Sequence, residues 1–74
     1  MAETITIRAE IGASVWKIAA HAGTALAEDD PIIILESMKL EIPVMAPHAG
    51  VVMEILVAEG QQVEEGQAIA IFRR

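Results

Sequence analysis

The sequence repeats itself after 37 residues, and this internal repeat limits the folds that are open to the chain. One shift aligns Val15, Ile18, Gly23, Leu26 and Glu28 with Val52, Ile55, Gly60, Val63 and Glu65. Continued without a gap, the same shift aligns Ile32, Ile34 and Leu35 with Ile69, Ile71 and Phe72. Two copies are too few for a solenoid, which needs at least three repeats to bury a continuous face. We therefore expect two similar halves that pack against each other in one domain, residues 1–74.

Each half has the sequence pattern of short β-strands. Helical periodicity is poor, β-branched residues dominate, and turn signals such as Gly12, Gly23, Pro47 and Gly60 recur every few residues. This pattern predicts an all-β fold of two packed sheets. The expected strands are Thr4–Ala9, Ser14–Ala20, Pro31–Ser37, Leu40–Met45, Gly50–Val57 and Ala68–Arg73, with short extended pieces near Leu26 and Val63.

The composition narrows the class of protein. The 74 residues include no cysteine, which excludes disulfides and thiolate zinc sites and favours a reducing cytosol. The chain begins without a leader pattern and has no apolar run of ~20 residues, so we expect a soluble, cytoplasmic protein with no membrane partner. Its net charge of −6 has the wrong sign for neutralising phosphates, which argues against nucleic acid as a partner.

A hairpin is predicted around Met38-Lys39. With these two residues as the loop, the expected pairs are Ser37 with Leu40, Glu36 with Glu41, Leu35 with Ile42, Ile34 with Pro43 and Ile33 with Val44. Side chains alternate between the two faces of a strand, so this register puts four apolar side chains on one face and both glutamates on the other. The repeat also relates this hairpin to the region where the two termini meet, so we expect the turn to lie opposite the termini.

The tip of this hairpin conflicts with local preferences. Tight hairpin turns favour Asn-Gly or Asp-Gly, because non-glycine residues at positive φ cost ~1 kcal/mol or more each. Glu36 and Glu41 add a pair of directly opposed like charges. Such conflicts are expected where a residue is kept for its chemistry, so Lys39 is the candidate functional residue. The alternative is a wider turn in which Lys39 is an ordinary solvated lysine.

Four stretches of the chain carry a resemblance to a known family. They are Glu36-Ser37-Met38-Lys39-Leu40-Glu41 with Ile42-Pro43, Ala46-Pro47 with Ala49-Gly50-Val51, Glu59-Gly60, and Val63 with Glu65-Gly66. The chain resembles the biotin- and lipoyl-attachment domains over nearly its whole length, and more closely the small biotin carboxyl carrier proteins. The resemblance implies a flattened barrel-sandwich hybrid of two four-stranded antiparallel sheets with quasi-twofold symmetry, which agrees with the internal repeat.

The resemblance also implies a function. In this family the lysine between two hydrophobic residues carries the cofactor, which points to covalent biotin on Lys39, with Met38 and Leu40 as flanking recognition residues. The implied partners are a biotin protein ligase, a biotin carboxylase and a carboxyltransferase, and the chain is expected to be a non-catalytic carrier of carboxylate. The commonest biotin sequence of the family has methionine on both sides of the lysine, and Leu40 is a volume-conserving departure from it.

Two alternative functions stay open. Lipoyl domains more often have an acidic residue before their lysine, where this chain has Met38, so biotin is favoured over lipoate, although some short members resemble both types. The other alternative is an unmodified β-sandwich used for assembly. The chain has no Ala/Pro-rich linker to a larger enzyme, so it is expected to be a free-standing subunit or a trimmed piece.

The remaining polar residues predict no second site. His21 and His48 have no further ligand at a metal-binding spacing, so no metal site is predicted. Ser14 and Ser37 fit no Ser-His-Asp order, so no catalytic residue is predicted either.

Three large apolar residues are assigned to packing. Trp16 aligns with Met53 in the repeat and is expected to be a ring at the edge of the core, with a partly exposed contact residue as the alternative. Met45 and Met53 are expected to be packing residues.

Overall fold

The computed structural model describes residues 3–74 and consists of two β-sheets. Its strands are β1 (Thr4–Arg8), β2 (Ala13–Ile18), β3 (Ala25–Leu26), β4 (Pro31–Ser37), β5 (Leu40–Met45), β6 (Gly50–Ile55), β7 (Gln62–Val63) and β8 (Ala68–Arg73). The two sheets have the strand orders β1-β8-β6-β3 and β5-β4-β2-β7, and all their pairings are antiparallel. The prediction of an all-β fold with two four-stranded sheets is confirmed.

Three strands end earlier than the sequence pattern predicts. β1 stops before Ala9, β2 stops at Ile18 and β6 stops at Ile55. At the end of β2, the amides of Ala19 and Ala20 both donate to the carbonyl of Ile32, at 3.0 Å each. One acceptor then serves two donors, so the regular ladder ends although Ala20 is still buried. The pattern of apolar residues reports burial and not hydrogen bonding. The sequence therefore predicts strands that are longer than the hydrogen-bonded ladders.

The internal repeat is reproduced in the backbone. Adding 37 to each residue number converts the pairing of β2 with β4 into that of β6 with β8, and the bulge between Val15 and Lys17 into that between Val52 and Glu54. The halves also exchange equivalent hydrogen bonds. The Gly23 amide donates to the Val52 carbonyl at 2.7 Å, and the Gly60 amide donates to the Val15 carbonyl at 2.7 Å. The predicted quasi-twofold arrangement is therefore confirmed.

The second turn of each half departs from this symmetry in residue type but not in geometry. Gly66 has φ +84°, and the equivalent residue in the first half is Asp29, with φ +73°. The amide of Asp29 donates to Ala46, and that of Gly66 donates to Ala9. Asp is one of the few side chains that tolerate left-handed backbone, so the turn keeps its shape without glycine.

The core lies between the two sheets and consists mainly of aliphatic side chains. The largest fully buried side chains are Val15, Ile32, Ile33, Leu35, Val52, Val63, Ile69 and Phe72. Fully burying a side chain of this kind stabilises the fold by ~1.5–3 kcal/mol relative to exposure. The part of the chain that the structure describes has no buried polar or charged side chain, so apolar packing stabilises the domain.

Gly50 makes room for the ring of Phe72. A Cβ atom at Gly50 would overlap the carbonyl oxygen of Arg73 and come within 2.8 Å of two carbons of the Phe72 ring. The repeat equates Gly50 with Ala13, and Phe72 with Leu35. The half with the smaller residue at one position thus has the larger residue at the other, which keeps the interior filled in both halves.

Glu3 and Arg74 meet where the repeat places them. The Arg74 amide donates to the Glu3 carbonyl at 3.0 Å, and these residues are the repeat equivalents of Ser37 and Leu40, which pair at the hairpin. The exposed side chains of Glu3 and Arg74 are 3.7 Å apart, a surface ion pair of small energetic value.

Across residues 3–74, no helix has the length and apolar character to cross a bilayer.

Candidate functional site

The candidate site is the end of the hairpin formed by β4 and β5. The five predicted pairs are all present, from Ser37 with Leu40 to Ile33 with Val44. Leu35 and Ile33 are fully buried, and their partners Ile42 and Val44 pack against the core from the edge strand. The apolar face therefore fixes the register, because a slip by one residue would turn these side chains to the solvent.

Met38 and Lys39 form a two-residue turn in left-handed backbone conformation. Their φ angles are +53° and +66°. Two consecutive positive φ values define the turn that matches the twist of a hairpin, and glycine or asparagine normally occupies it. Each non-glycine residue held there costs about 1 kcal/mol or more. The alternative of a wider turn is wrong, and the predicted conflict with local preference is present in the backbone.

The three residues at the tip are all exposed. Met38 is 91% exposed and Leu40 is 67% exposed, although both are apolar. Lys39 lies between them and is also exposed. Within residues 3–74, the Lys39 side chain makes no ion pair or hydrogen bond, so its amine is free to react or to bind. Neither apolar neighbour contributes to the core, which leaves both available for contact with a partner.

The electrostatic setting of the tip is acidic. Glu36 and Glu41 lie directly opposite each other on the outer face of the hairpin. Like charges that face each other across two strands destabilise the pair by a few tenths of a kcal/mol. The cation of Lys39 lies two and three residues away along the chain and offsets part of this repulsion. An uncharged derivative of Lys39 would leave the repulsion between Glu36 and Glu41 without this compensation.

The chain has a second lysine whose setting differs from that of Lys39. Lys17 lies on β2, which pairs with β4 on one side and β7 on the other. Both lysines are exposed, so exposure does not distinguish them. A side chain at the end of a hairpin can enter a cleft in a partner, whereas one on the face of a sheet meets only a flat surface. Of the two lysines, Lys39 is therefore the better placed to enter a partner's cleft.

The histidines do not form a site. His21 is exposed, while the ring of His48 packs against that of Phe72 with 5.4 Å between centroids. Nδ1 of His48 lies 3.1 Å from the Ala49 carbonyl oxygen. No group of three or more side chains that could bind a metal occurs in residues 3–74.

Three large apolar residues are more exposed than was expected. Trp16 is 48% exposed, which fits the alternative of a partly exposed residue, and Met45 and Met53 are 47% and 43% exposed, so they are not packing residues of the core. Trp16 and Met53 each follow a buried valine, so the alternation of side chains along a strand points both away from the core, and each is the extra residue of one of two equivalent bulges. The sequence contained one signal of this, since Trp16 and Met53 align and each follows a buried valine.

A groove of about 520 Å³ lies between the two edge strands β1 and β5. Ile5 and Ile7 line it on one side and Pro43 and Met45 on the other, and none of the three tip residues lines it. The groove is therefore separate from the candidate attachment site.

Comparison with known proteins gives a consistent family. The sequence profile of the biotin/lipoyl family, described as biotin-requiring enzyme, matches residues 5–72. The biotinylated protein TB7.3 homolog of Mycobacterium leprae is 42% identical over 66 residues, which cover 89% of this chain and 93% of that protein. The similarity thus spans nearly the full length of both chains.

Solved structures share the fold. The urea carboxylase of Kluyveromyces lactis matches 95% of this chain with a TM-score of 0.89 and 33% identity, and the chain spans only 6% of that much longer protein. The lipoyl domain of the 2-oxoglutarate dehydrogenase complex from Azotobacter vinelandii matches with a TM-score of 0.71 and 28% identity, over 82% of this chain and 77% of that domain. The fold is thus the flattened barrel-sandwich hybrid that the resemblance implied. The chain belongs to the biotin/lipoyl attachment family, as a small non-catalytic carrier domain.

Proposed function

We propose that Lys39 carries biotin through an amide bond from Nζ. The observation that supports this site is the turn, in which two consecutive non-glycine residues adopt φ angles of +53° and +66°. Asn-Gly would form the same turn with less strain, but it offers no amine. A strained turn that presents a free, exposed lysine at the end of a rigid hairpin is explained by use of that amine.

The chain's own residues fit the attachment chemistry. An amide bond between Nζ and the carboxyl carbon of biotin forms with net loss of one water, so a biotin protein ligase must supply an activated acyl group. The amine attacks only when deprotonated, and its proton passes to the ligase or solvent. The paired strands behind the turn limit the conformers that are lost when the tip docks. After acylation the chain, with its formal charge of −6, becomes more negative by one charge.

Met38 and Leu40 are proposed as recognition residues for the ligase and for the carboxylase. Both are apolar, both are mostly exposed, and they flank Lys39 on either side. Their exposure has a cost in hydration and brings no gain in packing, which supports a role in contact with partners.

The proposed cellular role is the transport of carboxylate in the cytoplasm by the domain of residues 1–74. Biotin supplies the group that is carboxylated by a biotin carboxylase and decarboxylated at a carboxyltransferase. The stem of Lys39 is part of a tether that raises the effective concentration of the reactive group at both active sites. The structural likeness to urea carboxylase supports carboxylase partners of this kind.

Lipoate is the second candidate for Lys39, because the structure also matches a lipoyl domain. Biotin is preferred, since the relative with 42% identity is a biotinylated protein while the lipoyl domain is 28% identical. The chain purified from its native host would separate these cases. Avidin capture is expected, whereas reaction with a lipoyl-specific antibody would identify a lipoyl carrier. Absence of both modifications would favour an unmodified module for assembly.

A further inference from the structure

Met38 is the most exposed of the three methionines that the structure describes. It is 91% exposed, while Met45 and Met53 are 47% and 43% exposed. Met45 is the last residue of β5 and Met53 lies within β6, so both are held on paired strands. Met38 instead occupies the left-handed turn at the end of the hairpin, with φ +53°. Its thioether is therefore open to a dissolved oxidant, whereas the other two residues are about half covered.

The thioether of Met38 can be oxidised and restored by ordinary sulfur chemistry. The chain contains no cysteine, so no thiol competes with its methionines for the oxidant. Hydrogen peroxide transfers one oxygen atom to the methionine sulfur and leaves as water, so the sulfur is oxidised by two electrons to the sulfoxide while the O–O bond breaks. In the reverse step a methionine sulfoxide reductase uses two thiols, which become a disulfide, and releases the oxygen as water.

Oxidation of Met38 is compatible with the folded chain. Met38 is not a member of the core cluster, and the register of the hairpin is fixed behind it by pairs such as Leu35 with Ile42. A sulfoxide in a core disrupts packing, but at this position the added oxygen lies in solvent. The modification can therefore form and be removed while the domain stays folded.

The same oxidation changes the chemistry of the tip. The turn places Met38 directly before Lys39, and Leu40 follows on the other side without an oxidisable sulfur. A sulfoxide is polar and its oxygen accepts hydrogen bonds from water. When the tip enters an apolar cleft, that oxygen loses its water and finds no donor, which weakens the contact. One of the two apolar neighbours of Lys39 thus responds to oxidants and the other does not.

We propose that Met38 is a reversible oxidation site, where hydrogen peroxide forms a sulfoxide that weakens the contact of the tip with the biotin carboxylase. The proposal rests on the assignment of Lys39 as the biotinylated residue. The likeness to urea carboxylase supports a carboxylase as the affected partner. The oxidised chain stays folded and keeps its biotin but is a poor substrate until the sulfoxide is reduced.

The first measurement is the order in which dilute hydrogen peroxide oxidises the methionines of the unmodified chain. Peptide mapping by mass follows the gain of oxygen at each position, including Met1, which lies outside the described residues. Met38 is expected to react about twofold faster or more than Met45 and Met53, in line with their exposed fractions. Urea unfolding should show the same stability before and after oxidation of Met38. Oxidation of Met45 or Met53 ahead of Met38, or loss of the fold, would overturn the proposal.

The second measurement is carboxylation by the host's biotin carboxylase, with ATP, bicarbonate and varied concentrations of the biotinylated chain. The chain is oxidised first and biotinylated to completion afterwards, because the sulfur of biotin also reacts with peroxide. The KM for the oxidised wild type is expected to rise by roughly tenfold, and reductase with a thiol, applied before biotinylation, should restore it. M38L keeps the volume without the oxidisable sulfur and should hold its KM through the peroxide treatment. M45L/M53L is the matched control and should lose as much as the wild type.

An unchanged KM of the oxidised wild type would overturn the proposal, as would an equal rise in oxidised M38L or a rise that the reductase does not reverse. Failure of the ligase to biotinylate the oxidised wild type, with normal transfer to treated M38L, would also overturn it and assign the effect to the ligase. An untreated wild type that takes up no biotin would refute the proposed function and this proposal with it. The mass of the untreated chain separates that case from failure of the proposal alone.

Discussion

Glu36 lies directly opposite Glu41 in the hairpin that presents Lys39. The repulsion between them is partly offset by the Lys39 cation and increases when that charge is removed by acylation. We expect Glu41→Gln to stabilise the unmodified chain by a few tenths of a kcal/mol and the modified chain by more. Urea unfolding of both forms at low and high salt measures this difference.

Glu54→Gln is the control for that measurement, because Glu54 pairs with Ile71 on β8 and has no carboxylate opposite. Glu54→Gln should change the free energy of unfolding by a similar amount in the modified and the unmodified chain. A gain from Glu41→Gln that is identical in modified and unmodified protein at low salt would contradict the electrostatic account of the tip.

The Met38-Lys39 turn is predicted to be less stable than an Asn-Gly turn with the same backbone conformation. Replacing it by Asn-Gly through M38N/K39G relieves two positive φ angles, so the free energy of unfolding should rise by about 1–2 kcal/mol. The same variant loses all modification, since no amine remains at the tip. Lys39→Arg serves as the control, because it also removes the attachment site and leaves the strain in place. An unchanged or lower stability of M38N/K39G would show that the turn is not strained.

The fit between Gly50 and Phe72 makes a specific prediction about the core. Gly50→Ala should destabilise the domain by about 1–3 kcal/mol, because the new methyl group meets the ring and the neighbouring backbone. The double variant G50A/F72L reproduces the Ala13 and Leu35 pair of the other half. Its free energy of unfolding should be higher than the sum of the two single changes predicts. Urea unfolding of the four proteins provides the cycle. Strict additivity would contradict the proposed size exchange.

Much of this fold could be read from the sequence, because its main determinants are local or repeated. The hairpin register follows from the alternation of Ile33, Leu35, Ile42 and Val44, and the positive φ angles of the turn follow from a two-residue loop. The twofold arrangement follows from the 37-residue repeat. These features need no knowledge of tertiary packing.

The exposure of Trp16, Met45 and Met53 depends on which face of each strand packs against the core, and the size of an apolar side chain does not report that face. A bulge reverses the facing of the residues after it, and no local pattern announced one at Val15 or Val52. The core-edge assignment of Trp16 was wrong, because Trp16 follows the inward-facing Val15 and lies on the outer face of its sheet. The groove between β1 and β5 likewise depends on how the two sheets meet, which is a property of the folded chain.

The most direct test of the central claim is the intact mass of the chain after co-expression with a biotin protein ligase. The chain has two lysines, so Lys39→Arg and Lys17→Arg form a matched pair of conservative changes at exposed sites. We predict that the wild type and Lys17→Arg each gain the mass of one biotinyl group, and that Lys39→Arg folds normally and gains none. Biotin on Lys39→Arg, or a wild type that carries none, would contradict the assignment of Lys39.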